Sequence, residues 1–434
     1  MGFYYLTNNK YYKIEPLKIE KLYNIISDKL IVTDTRKVVE KAIFFALKGD
    51  NFNGNAFAQQ ALEKGASFAI IDDEKYIISK KTILVNDVLN TLQQLAAYHR
   101  QQLEIPIVAL TGSNGKTTTK ELINAVLSKK YNVKATAGNL NNHIGVPLSI
   151  LAMTKLTEIG VVEMGANHLG EIAFLCQIAQ PNFGYVTNFG KAHLEGFGSL
   201  EGVVKAKSEL YHYLKENDQQ VFVNTDDAIQ VKQTLGLKQI QFNSKEIKFK
   251  SADPFVEIEY KGHLIKSQLL GKYNYDNIAA AIAIGAHFKV EAVQIKEAIE
   301  NYLPENNRSQ IINKGDLQII LDAYNANPTS MRLAIENFMQ FTSQSKILVL
   351  GDMFELGDST QKEHQGIVDL LETFNFDKAY LIGNNFKKTI NSNTKILQFN
   401  TFKEFKNHFK VPKNAVLLIK ASRGMALERV LDLL

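Results

Sequence analysis

Short apolar runs, many of them β-branched, alternate with longer segments of helical periodicity along nearly the whole chain. Runs of this kind are typical of strands that are buried on both faces of a parallel sheet. The segments between them repeat apolar residues at helical spacing, as do helices that cover such a sheet. The alternation therefore predicts an α/β fold with mostly parallel sheets. Strands are predicted at 68–71, 107–110, 160–162, 185–186, 221–223, 319–321, 347–350, 379–382 and 416–419, and helices at 56–64, 89–103, 118–130 and 331–341.

Two changes of pattern suggest domain boundaries. The helical segment 89–103 gives way to a buried strand just before Pro106, and a polar stretch follows a helix at 304–309. At roughly 150 residues per domain, 434 residues correspond to about three domains. We therefore expect an N-terminal domain at 1–104, a central domain at 105–308 and a C-terminal domain at 309–434.

Composition excludes several classes of protein. The formal net charge of +5, from 50 basic and 45 acidic residues, is too balanced to indicate nucleic-acid binding. The single cysteine, Cys176, lies in an apolar run and is expected to be a buried structural thiol. A chain with one cysteine, no signal-peptide pattern and no long apolar stretch is expected to be cytoplasmic and not inserted in a membrane.

The strongest motif is a phosphate loop between the strand at 107–110 and a helix with an apolar face at Leu122, Ile123, Val126 and Leu127. Strand, glycine-rich turn and helix N-terminus together form an anion-binding cradle. The loop is a shortened variant, since Leu110 stands where the common pattern has glycine. The predicted ATP contacts here are Gly112, Ser113, Asn114, Gly115, Lys116, Thr117 and Thr118. Within that set, Lys116 would reach the β- and γ-phosphates, and the Thr117 hydroxyl would bind Mg²⁺.

Polar residues follow two other predicted strands. Glu163 comes directly after the strand at 160–162, and His193 lies just past the strand at 185–186. Residues at the carboxyl ends of parallel strands face the ligand crevice, where Mg²⁺ needs oxygen ligands. Lys205 and Lys207 lie on the helix that follows, and composition distinguishes neither.

Several motifs together resemble the Mur ligase superfamily. They extend over all three predicted domains, so the resemblance covers nearly the full chain. Besides the phosphate loop, Glu163 and His193, they are GNLNNHIGVP at 138–147, EMGANH at 163–168, AHLEGFG at 192–198, DAYNANPTSM at 322–331, GDMFELG at 351–357 and KASRGM at 420–425.

The resemblance implies an N-terminal domain that binds a UDP-linked substrate, a central P-loop domain that binds ATP, and a C-terminal Rossmann-like domain. The implied reaction is ATP-dependent ligation of D-alanyl-D-alanine to a UDP-N-acetylmuramoyl-tripeptide, through an acyl phosphate, by a monomeric enzyme of peptidoglycan synthesis. The alternatives are another amide ligase of the superfamily, a folylpolyglutamate synthetase, or a module that binds ATP without catalysis. A non-catalytic binder would not need the set of Glu163, His193 and Lys207.

The resemblance also assigns roles to residues. Lys116, Glu163, His193 and Lys207 are expected to be catalytic. Thr117 and Glu163 would hold one Mg²⁺, and His193 and a carbamylated Lys207 a second, with Lys205 as the alternative site of carbamylation. The expected nucleotide contacts beyond the loop are Asn277, Arg308, Asp322 and Asn325. The expected substrate contacts are Asp34, Thr35, Arg36, Lys48, Asn53, Gly54, Asn141 and Asn142, with Ser422 and Arg423 for the D-alanyl-D-alanine carboxylate.

The chain departs from the family pattern at a few of these positions. Thr35 stands where the family usually has serine, and Asn53 and Asn55 stand where it usually has aspartate and histidine. Tyr273 replaces a histidine near the position expected for the ATP base. The uridine contacts and the base contacts are therefore the least constrained of the expected roles.

Overall fold

The computed structural model describes residues 4–7, 10–13, 18–27, 29–304, 307–341 and 345–434. The chain begins with short strands and helices. They are β1 (Tyr4–Thr7), β2 (Lys10–Lys13), α1 (Ile19–Ile26), β3 (Ile31–Val32), β4 (Ile43–Phe45), β5 (Lys48–Gly49), β6 (Phe52–Asn53), α2 (Ala58–Glu63), β7 (Phe68–Ile71), β8 (Thr82–Leu84) and α3 (Val88–Gln102).

The middle of the chain alternates strands and helices and then forms an antiparallel meander. Its elements are β9 (Ile107–Thr111), α4 (Lys116–Leu127), β10 (Val133–Ala135), α5 (Gly145–Leu151), β11 (Ile159–Glu163), α6 (Glu171–Ala179), β12 (Phe183–Val186), α7 (Leu194–Phe197), α8 (Leu200–Lys207), α9 (Glu209–Glu216), β13 (Gln220–Asn224), α10 (Ala228–Gln233), β14 (Lys238–Phe242), β15 (Ile247–Ala252), β16 (Phe255–Tyr260), β17 (His263–Leu270), α11 (Asn274–His287) and α12 (Ala292–Glu300).

The C-terminal part returns to regular alternation. It consists of β18 (Gln310–Lys314), β19 (Leu317–Asp322), α13 (Pro328–Met339), β20 (Lys346–Gly351), α14 (Thr360–Glu372), β21 (Lys378–Ile382), α15 (Asn384–Lys387), β22 (Ile396–Phe399), α16 (Phe402–His408) and β23 (Val416–Lys420).

The chain is organised in two compact units, each built from several segments. The first consists of Met1–Leu110, Tyr131–Gly165 and Glu171–Gly184, and the second of Thr111–Lys130, Ala166–Gly170 and Tyr185–Leu434. The polar stretch predicted as the second domain boundary includes positions 305 and 306, which lie outside the described residues.

The first unit contains a parallel sheet in the order β3-β4-β7-β8. Successive strand residues point to opposite faces, so both faces of this sheet carry a core. One face packs Ile43, Phe45 and Ile70 against Leu92 and Leu95 of α3. On the opposite face Phe44, Ala69 and Ile71 pack against Ala58 and Ala61 of α2. The same unit holds β10, β11 and the greater part of β9, which are parallel neighbours.

The second unit contains the C-terminal sheet, in the order β18-β19-β23-β20-β21-β22, parallel except for the edge strand β18. One face packs Leu348 and Leu418 against α13 and α14. The other packs Val349 and Leu417 against Phe405 of α16. A sheet covered on both faces by its crossover helices is the doubly wound arrangement. The predicted α/β fold with a Rossmann-like C-terminal domain is therefore confirmed.

Every strand predicted from the sequence lies within an observed strand, while helix starts were less accurate. Helix α13 begins at Pro328, earlier than predicted, because the side chain of Asn327 caps it and proline is favoured in the first turn. The antiparallel strands β15 to β17 were not predicted, since their alternating polar and apolar residues lack the continuous apolar runs. Cys176 is buried, as expected. Among the described residues, no helix has both the length and the apolar character needed to cross a bilayer.

Candidate active site

The phosphate loop connects β9 to α4 and needs glycine at two positions. Gly112 has a φ of 142°, and a Cβ atom there would lie 2.0 Å from the Thr187 hydroxyl. Gly115 has a φ of 80°, and a Cβ atom there would lie 2.4 Å from Asn277 Oδ1. Both conformations and both close approaches exclude larger residues. The loop is thus held tightly by neighbouring side chains, and the apolar face predicted for α4 is buried.

Thr187 and Asn188, which directly follow β12, hold the backbone N–H and the backbone carbonyl of Asn114. Asn188 Oδ1 accepts a hydrogen bond from Asn114 N at 3.0 Å, and Asn188 Nδ2 donates to Asn114 O at 2.9 Å. The Thr187 hydroxyl donates to the same carbonyl at 2.6 Å. Sequence reasoning missed both residues, although their place after a buried strand is the signal by which Glu163 and His193 were chosen.

Lys116 lies folded over its own loop. Its Nζ donates to the carbonyls of Gly112 at 2.7 Å and Ser113 at 3.3 Å. Thr117 and Thr118 follow in the first turn of α4, where the helix N-terminus favours negative charge. A phosphate group entering this loop would offer the ammonium a charged oxygen in place of the two carbonyls.

Asn277 supports the loop from α11. Its Oδ1 accepts a hydrogen bond from the Thr119 hydroxyl at 3.0 Å, and its Nδ2 donates to Asn274 Oδ1 at 2.8 Å. Because the side chain lies against Gly115, it fixes the start of α4. Its predicted contact with the nucleotide stays a prediction.

His193 lies in a left-handed conformation at the start of α7, with φ of 50°. Its Nδ1 is hydrogen-bonded to the carboxylate oxygen Oε2 of Glu355. This bond is the largest cause that lowers the pKa of Glu355 below its usual value. The imidazole also packs edge-on against the ring of Phe197, with 6.3 Å between ring centroids. Sequence reasoning did not assign a role to Glu355.

Lys207 and Lys205 differ sharply in environment. Lys207 is 1% exposed, its Nζ donates to the carbonyl of Ala166 at 3.2 Å, and the same atom lies 4.9 Å from the Phe197 ring centroid. Lys205, on the same helix, is exposed. The Phe197 ring therefore contacts both His193 and Lys207, the residues predicted to hold the second Mg²⁺.

Three predicted nucleotide contacts lie around β18 and β19: Arg308 precedes β18, Asp322 ends β19 and Asn325 follows it. The Asp322 carboxylate is paired with the buried Lys420 ammonium at 2.5 Å, and Lys420 also donates to the Asn325 carbonyl at 3.2 Å. The Arg308 guanidinium stacks on the ring of Tyr324, 3.8 Å from its centroid. These contacts order the segment in which Asp322 and Asn325 lie.

A cavity of about 120 Å³ opens beside this segment. Within it, Ser422 is buried, accepting a hydrogen bond from Phe354 N at 2.9 Å and donating to Ala326 O at 3.2 Å. Arg423 is exposed and paired with Glu428 at 2.9 Å. Of the two residues predicted to bind a carboxylate, Arg423 carries the exposed positive charge. The Ser422 hydroxyl instead links the backbone of Phe354 to that of Ala326. The lining residues are Ala192, His193, Asn325, Ala326, Asn327, Phe354, Glu355, Ser422, Arg423 and Gly424.

In the first unit, Glu163 ends β11 opposite Leu110, the residue that precedes the phosphate loop in the chain. It is 1% exposed, and its Oε1 accepts a hydrogen bond from Asn141 Nδ2 at 2.7 Å. Asn142 Oδ1 accepts from Ile144 N and Gly145 N at the start of α5. Asn141 thus orients Glu163, and Asn142 orders the turn; their contacts with the sugar-peptide stay predictions.

The expected uridine residues also lie in the first unit. The Arg36 guanidinium pairs with Asp34 at 2.7 Å, and this hydrogen bond lowers the pKa of the Asp34 carboxyl to about 2. Thr35 lies between them and accepts a hydrogen bond through its carbonyl from Lys64 at 3.1 Å. Lys48, on β5, pairs with Asp72 at 2.7 Å.

Asn55, which stands where the family usually has histidine, has a structural role in this chain. It is fully buried, and its Nδ2 donates to Asn53 Oδ1 at 2.9 Å and Asp72 Oδ1 at 2.8 Å, while its Oδ1 accepts from Asp72 N at 2.9 Å. Gly54, between the two asparagines, donates from its backbone to Leu47 O at 2.9 Å. Asn55 therefore stabilises the turn that carries Asn53 and Gly54.

The residues predicted to bind metal offer mainly oxygen atoms. Thr117 supplies a hydroxyl, Glu163 a carboxylate and a carbamylated Lys207 would supply another, which suits Mg²⁺. Across the described ranges, no group of three His, Cys, Asp or Glu side chains is arranged to hold a metal ion.

Comparison with known proteins identifies the family. Residues 29–108 match the Mur ligase family catalytic domain, 110–285 the Mur ligase middle domain, and 307–426 the Mur ligase glutamate ligase domain. The chain is 34% identical to UDP-N-acetylmuramoyl-tripeptide–D-alanyl-D-alanine ligase from Bacillus subtilis, over 92% of each chain.

Solved structures agree with the sequence comparison. A crystal structure of MurF from Acinetobacter baumannii is 31% identical, with a TM-score of 0.82 over 93% of this chain and 92% of that one. MurF from Thermotoga maritima, solved in complex with ADP, is 30% identical, with a TM-score of 0.80 over 93% and 96%. With family matches in every third of its length and relatives at this identity, the chain belongs to the Mur ligase family.

Proposed function

We propose that the protein is the ATP-dependent ligase that joins D-alanyl-D-alanine to UDP-N-acetylmuramoyl-tripeptide in peptidoglycan precursor synthesis. The observation that carries the proposal is the contact between the phosphate loop and the C-terminal segment, where Asn327 Nδ2 donates to Asn114 Oδ1 at 2.7 Å. Asn327 also lines the cavity that contains Arg423. One residue thus contacts both the proposed ATP loop and the proposed dipeptide pocket.

The chemistry follows from the poor leaving group of a carboxylate. An oxygen of the tripeptide carboxylate attacks the γ-phosphorus of ATP, ADP leaves, and an acyl phosphate forms. The dipeptide amine then attacks the carbonyl carbon, a proton is lost from nitrogen, and inorganic phosphate leaves as the amide forms. The protein acts mainly by positioning and by neutralising charge.

The phosphate loop and α4 would hold the nucleotide. The Lys116 ammonium would give up its hydrogen bonds to the two loop carbonyls and bind β- and γ-phosphate oxygens instead. Backbone N–H groups at the start of α4 would add partial positive charge. Asn277 would support the loop, and Arg308, Asp322 and Asn325 would orient the nucleotide from the C-terminal segment.

Mg²⁺, when bound, would offset negative charge on the phosphates and the carboxylate. Thr117 and Glu163 are the proposed ligands of one ion, and His193 and carbamylated Lys207 those of the second. Carbamylation leaves one hydrogen on Nζ, so a modified Lys207 can still donate to Ala166 O. The exposed Lys205 has no comparable surroundings, which supports Lys207 over Lys205 as the modified residue.

The cavity in the second unit is proposed as the dipeptide site. Arg423 would bind the terminal carboxylate, because a guanidinium matches a carboxylate in shape and charge. Ser422 would shape the pocket by holding Phe354 in place. The uridine side would be bound through Asp34, Thr35, Arg36, Lys48, Asn53 and Gly54, and the sugar-peptide side through Asn141 and Asn142. In this scheme the three segments 1–104, 105–308 and 309–434 serve the UDP-substrate, ATP and the dipeptide, respectively, in a monomer.

Phosphate release by the purified protein tests the proposal. UDP-N-acetylmuramoyl-tripeptides with lysine or diaminopimelate at the third position would each be offered D-alanyl-D-alanine, lysine, diaminopimelate or glutamate, with ATP and Mg²⁺. We expect phosphate and amide product in equal amounts with D-alanyl-D-alanine alone. Preference for a free amino acid, or ATP hydrolysis that no amine stimulates, contradicts the proposal.

A further inference from the structure

The contact between Asn327 and Asn114 has a defined direction. Asn327 caps α13, and its Oδ1 accepts a hydrogen bond from Ser330 N at 2.9 Å. That bond leaves its Nδ2 to face Asn114, where it donates to Oδ1 at 2.7 Å. Because Asn114 Oδ1 is the acceptor, the amide nitrogen of Asn114 must point the other way.

That nitrogen, Asn114 Nδ2, is buried and has no hydrogen-bond partner within the described parts of the chain. Every other polar atom of Asn114 is engaged, by Asn188, Thr187 and Asn327. Gly190 lies beside it, where a Cβ atom would come within 3.1 Å of Nδ2. A buried donor without an acceptor is destabilising, so such groups are rare, and a role at a functional site is one reason for which proteins retain them.

The position of this donor indicates its acceptor. Asn114 lies in the middle of the phosphate loop, and the Oδ1 end of its amide is bonded to Asn327, which caps α13 and lines the proposed dipeptide cavity. The phosphate group that must approach the dipeptide is the terminal one, since it is transferred to the carboxylate that the amine attacks.

We infer that Asn327 is a positioning residue which orients the amide of Asn114 so that its Nδ2 donates to an oxygen of the terminal phosphate of ATP. The inference rests on the proposed function for the identity of the nucleotide. It adds that the C-terminal segment takes part in distinguishing ATP from ADP, through a bond to the loop itself.

Two variants separate this role from a merely structural one. Asn327→Ser keeps a good helix cap, without charge, but its side chain is too short to replace the amide donor. Ser330→Ala weakens the other half of the capping box, in which the Ser330 hydroxyl accepts from Asn327 N at 3.1 Å, and leaves the Asn327–Asn114 bond in place.

The test measures binding of ADP and of a non-hydrolysable ATP analogue by calorimetry, with Mg²⁺, together with the melting temperature. We expect Asn327→Ser to weaken binding of the ATP analogue about tenfold, as for loss of one hydrogen bond to a charged group, and to change ADP binding less than twofold. Ser330→Ala should lower the melting temperature slightly and leave the ratio of the two affinities unchanged.

The outcomes distinguish the inference from the proposed function. Equal weakening of both nucleotides by Asn327→Ser, or no weakening of either, overturns the inference alone. A wild-type protein that binds neither nucleotide overturns the proposed function and the inference with it. Asn114→Ala should reproduce the selective loss, and an equal loss of ADP binding in that variant also counts against the role.

Discussion

The imidazole of His193 is hydrogen-bonded through Nδ1 to the carboxylate of Glu355, which lies 162 positions later in the chain. Only Nε2 of the ring is then directed away from this partner. A histidine that binds a metal is commonly oriented in this way by a carboxylate on its other nitrogen. If His193 is a Mg²⁺ ligand, Glu355 determines both its tautomer and its direction.

Glu355→Gln should therefore lower activity about 10- to 100-fold, the usual effect of losing a partner that orients a metal ligand. The Mg²⁺ concentration for half-maximal phosphate release should rise. Glu363→Gln is the matched control, because Glu363 pairs with the partly exposed Lys191 at 2.8 Å at the same surface. Equal effects of the two variants would mean that Glu355 contributes only through surface charge.

Asn188→Ala removes the side chain that holds both the N–H and the carbonyl of Asn114. We expect the KM for ATP to rise about tenfold or more, since each lost bond to a loop that must keep its shape costs about 1 kcal/mol. Asn243→Ala is the control, as Asn243 Oδ1 accepts from Lys245 N in an exposed turn at 2.9 Å. If the KM for ATP is unchanged in Asn188→Ala, the two hydrogen bonds from Asn188 to Asn114 are not needed for nucleotide binding.

Lys207→Ala should abolish ligation, and Lys205→Ala should retain activity near that of the wild type. A carbamate on Lys207 would be a carboxylate, so added formate or acetate should partly restore Lys207→Ala if the modification is real. Activity of each variant is measured with and without the added acid. Full activity in Lys207→Ala, or greater loss in Lys205→Ala, would exclude the assigned role.

We expect the stability of the C-terminal segment to depend on pH through His364. The side chain is fully buried, its Nε2 accepts a hydrogen bond from Met353 N at 3.0 Å, and its Nδ1 lies 2.7 Å from the Thr360 carbonyl. Burial is the largest cause that lowers the pKa of His364 below 6.5, against the opposing effects of Thr360, Asp352 and Glu363. The neutral ring is thus the form that the folded protein accommodates.

The unfolded chain binds this proton more tightly than the folded one, so the stabilising contribution is complete above pH 6.5 and is lost as pH falls below it. His364→Gln keeps a side-chain acceptor for Met353 N and should flatten the fall of the unfolding free energy between pH 7.5 and 5. His408→Gln, at an exposed site, should not. Parallel curves for wild type and His364→Gln would contradict this account.

The sequence by itself determined the α/β class, the strand positions and the phosphate loop. These features depend on local patterns: apolar runs mark buried strands, and a glycine-rich turn with Lys116 between a strand and a helix predicts an anion site. The strand-end position also predicted Glu163 and His193 as site residues, because the carboxyl edge of a parallel sheet follows from strand direction alone.

Only the tertiary structure decided which partners these residues have. The buried position of Lys207 and the exposed position of Lys205 depend on how one helix packs, which two neighbouring lysines in a sequence do not reveal. Glu355, Asn188 and Asn327 were missed because their importance comes from contacts with residues distant in the chain. Ser422 was expected at the substrate and lines the proposed dipeptide cavity, and the structure adds that its hydroxyl is bonded to the backbone of Phe354 and Ala326. Such contacts depend on three-dimensional packing, since hydrogen bonds form between groups that folding brings together.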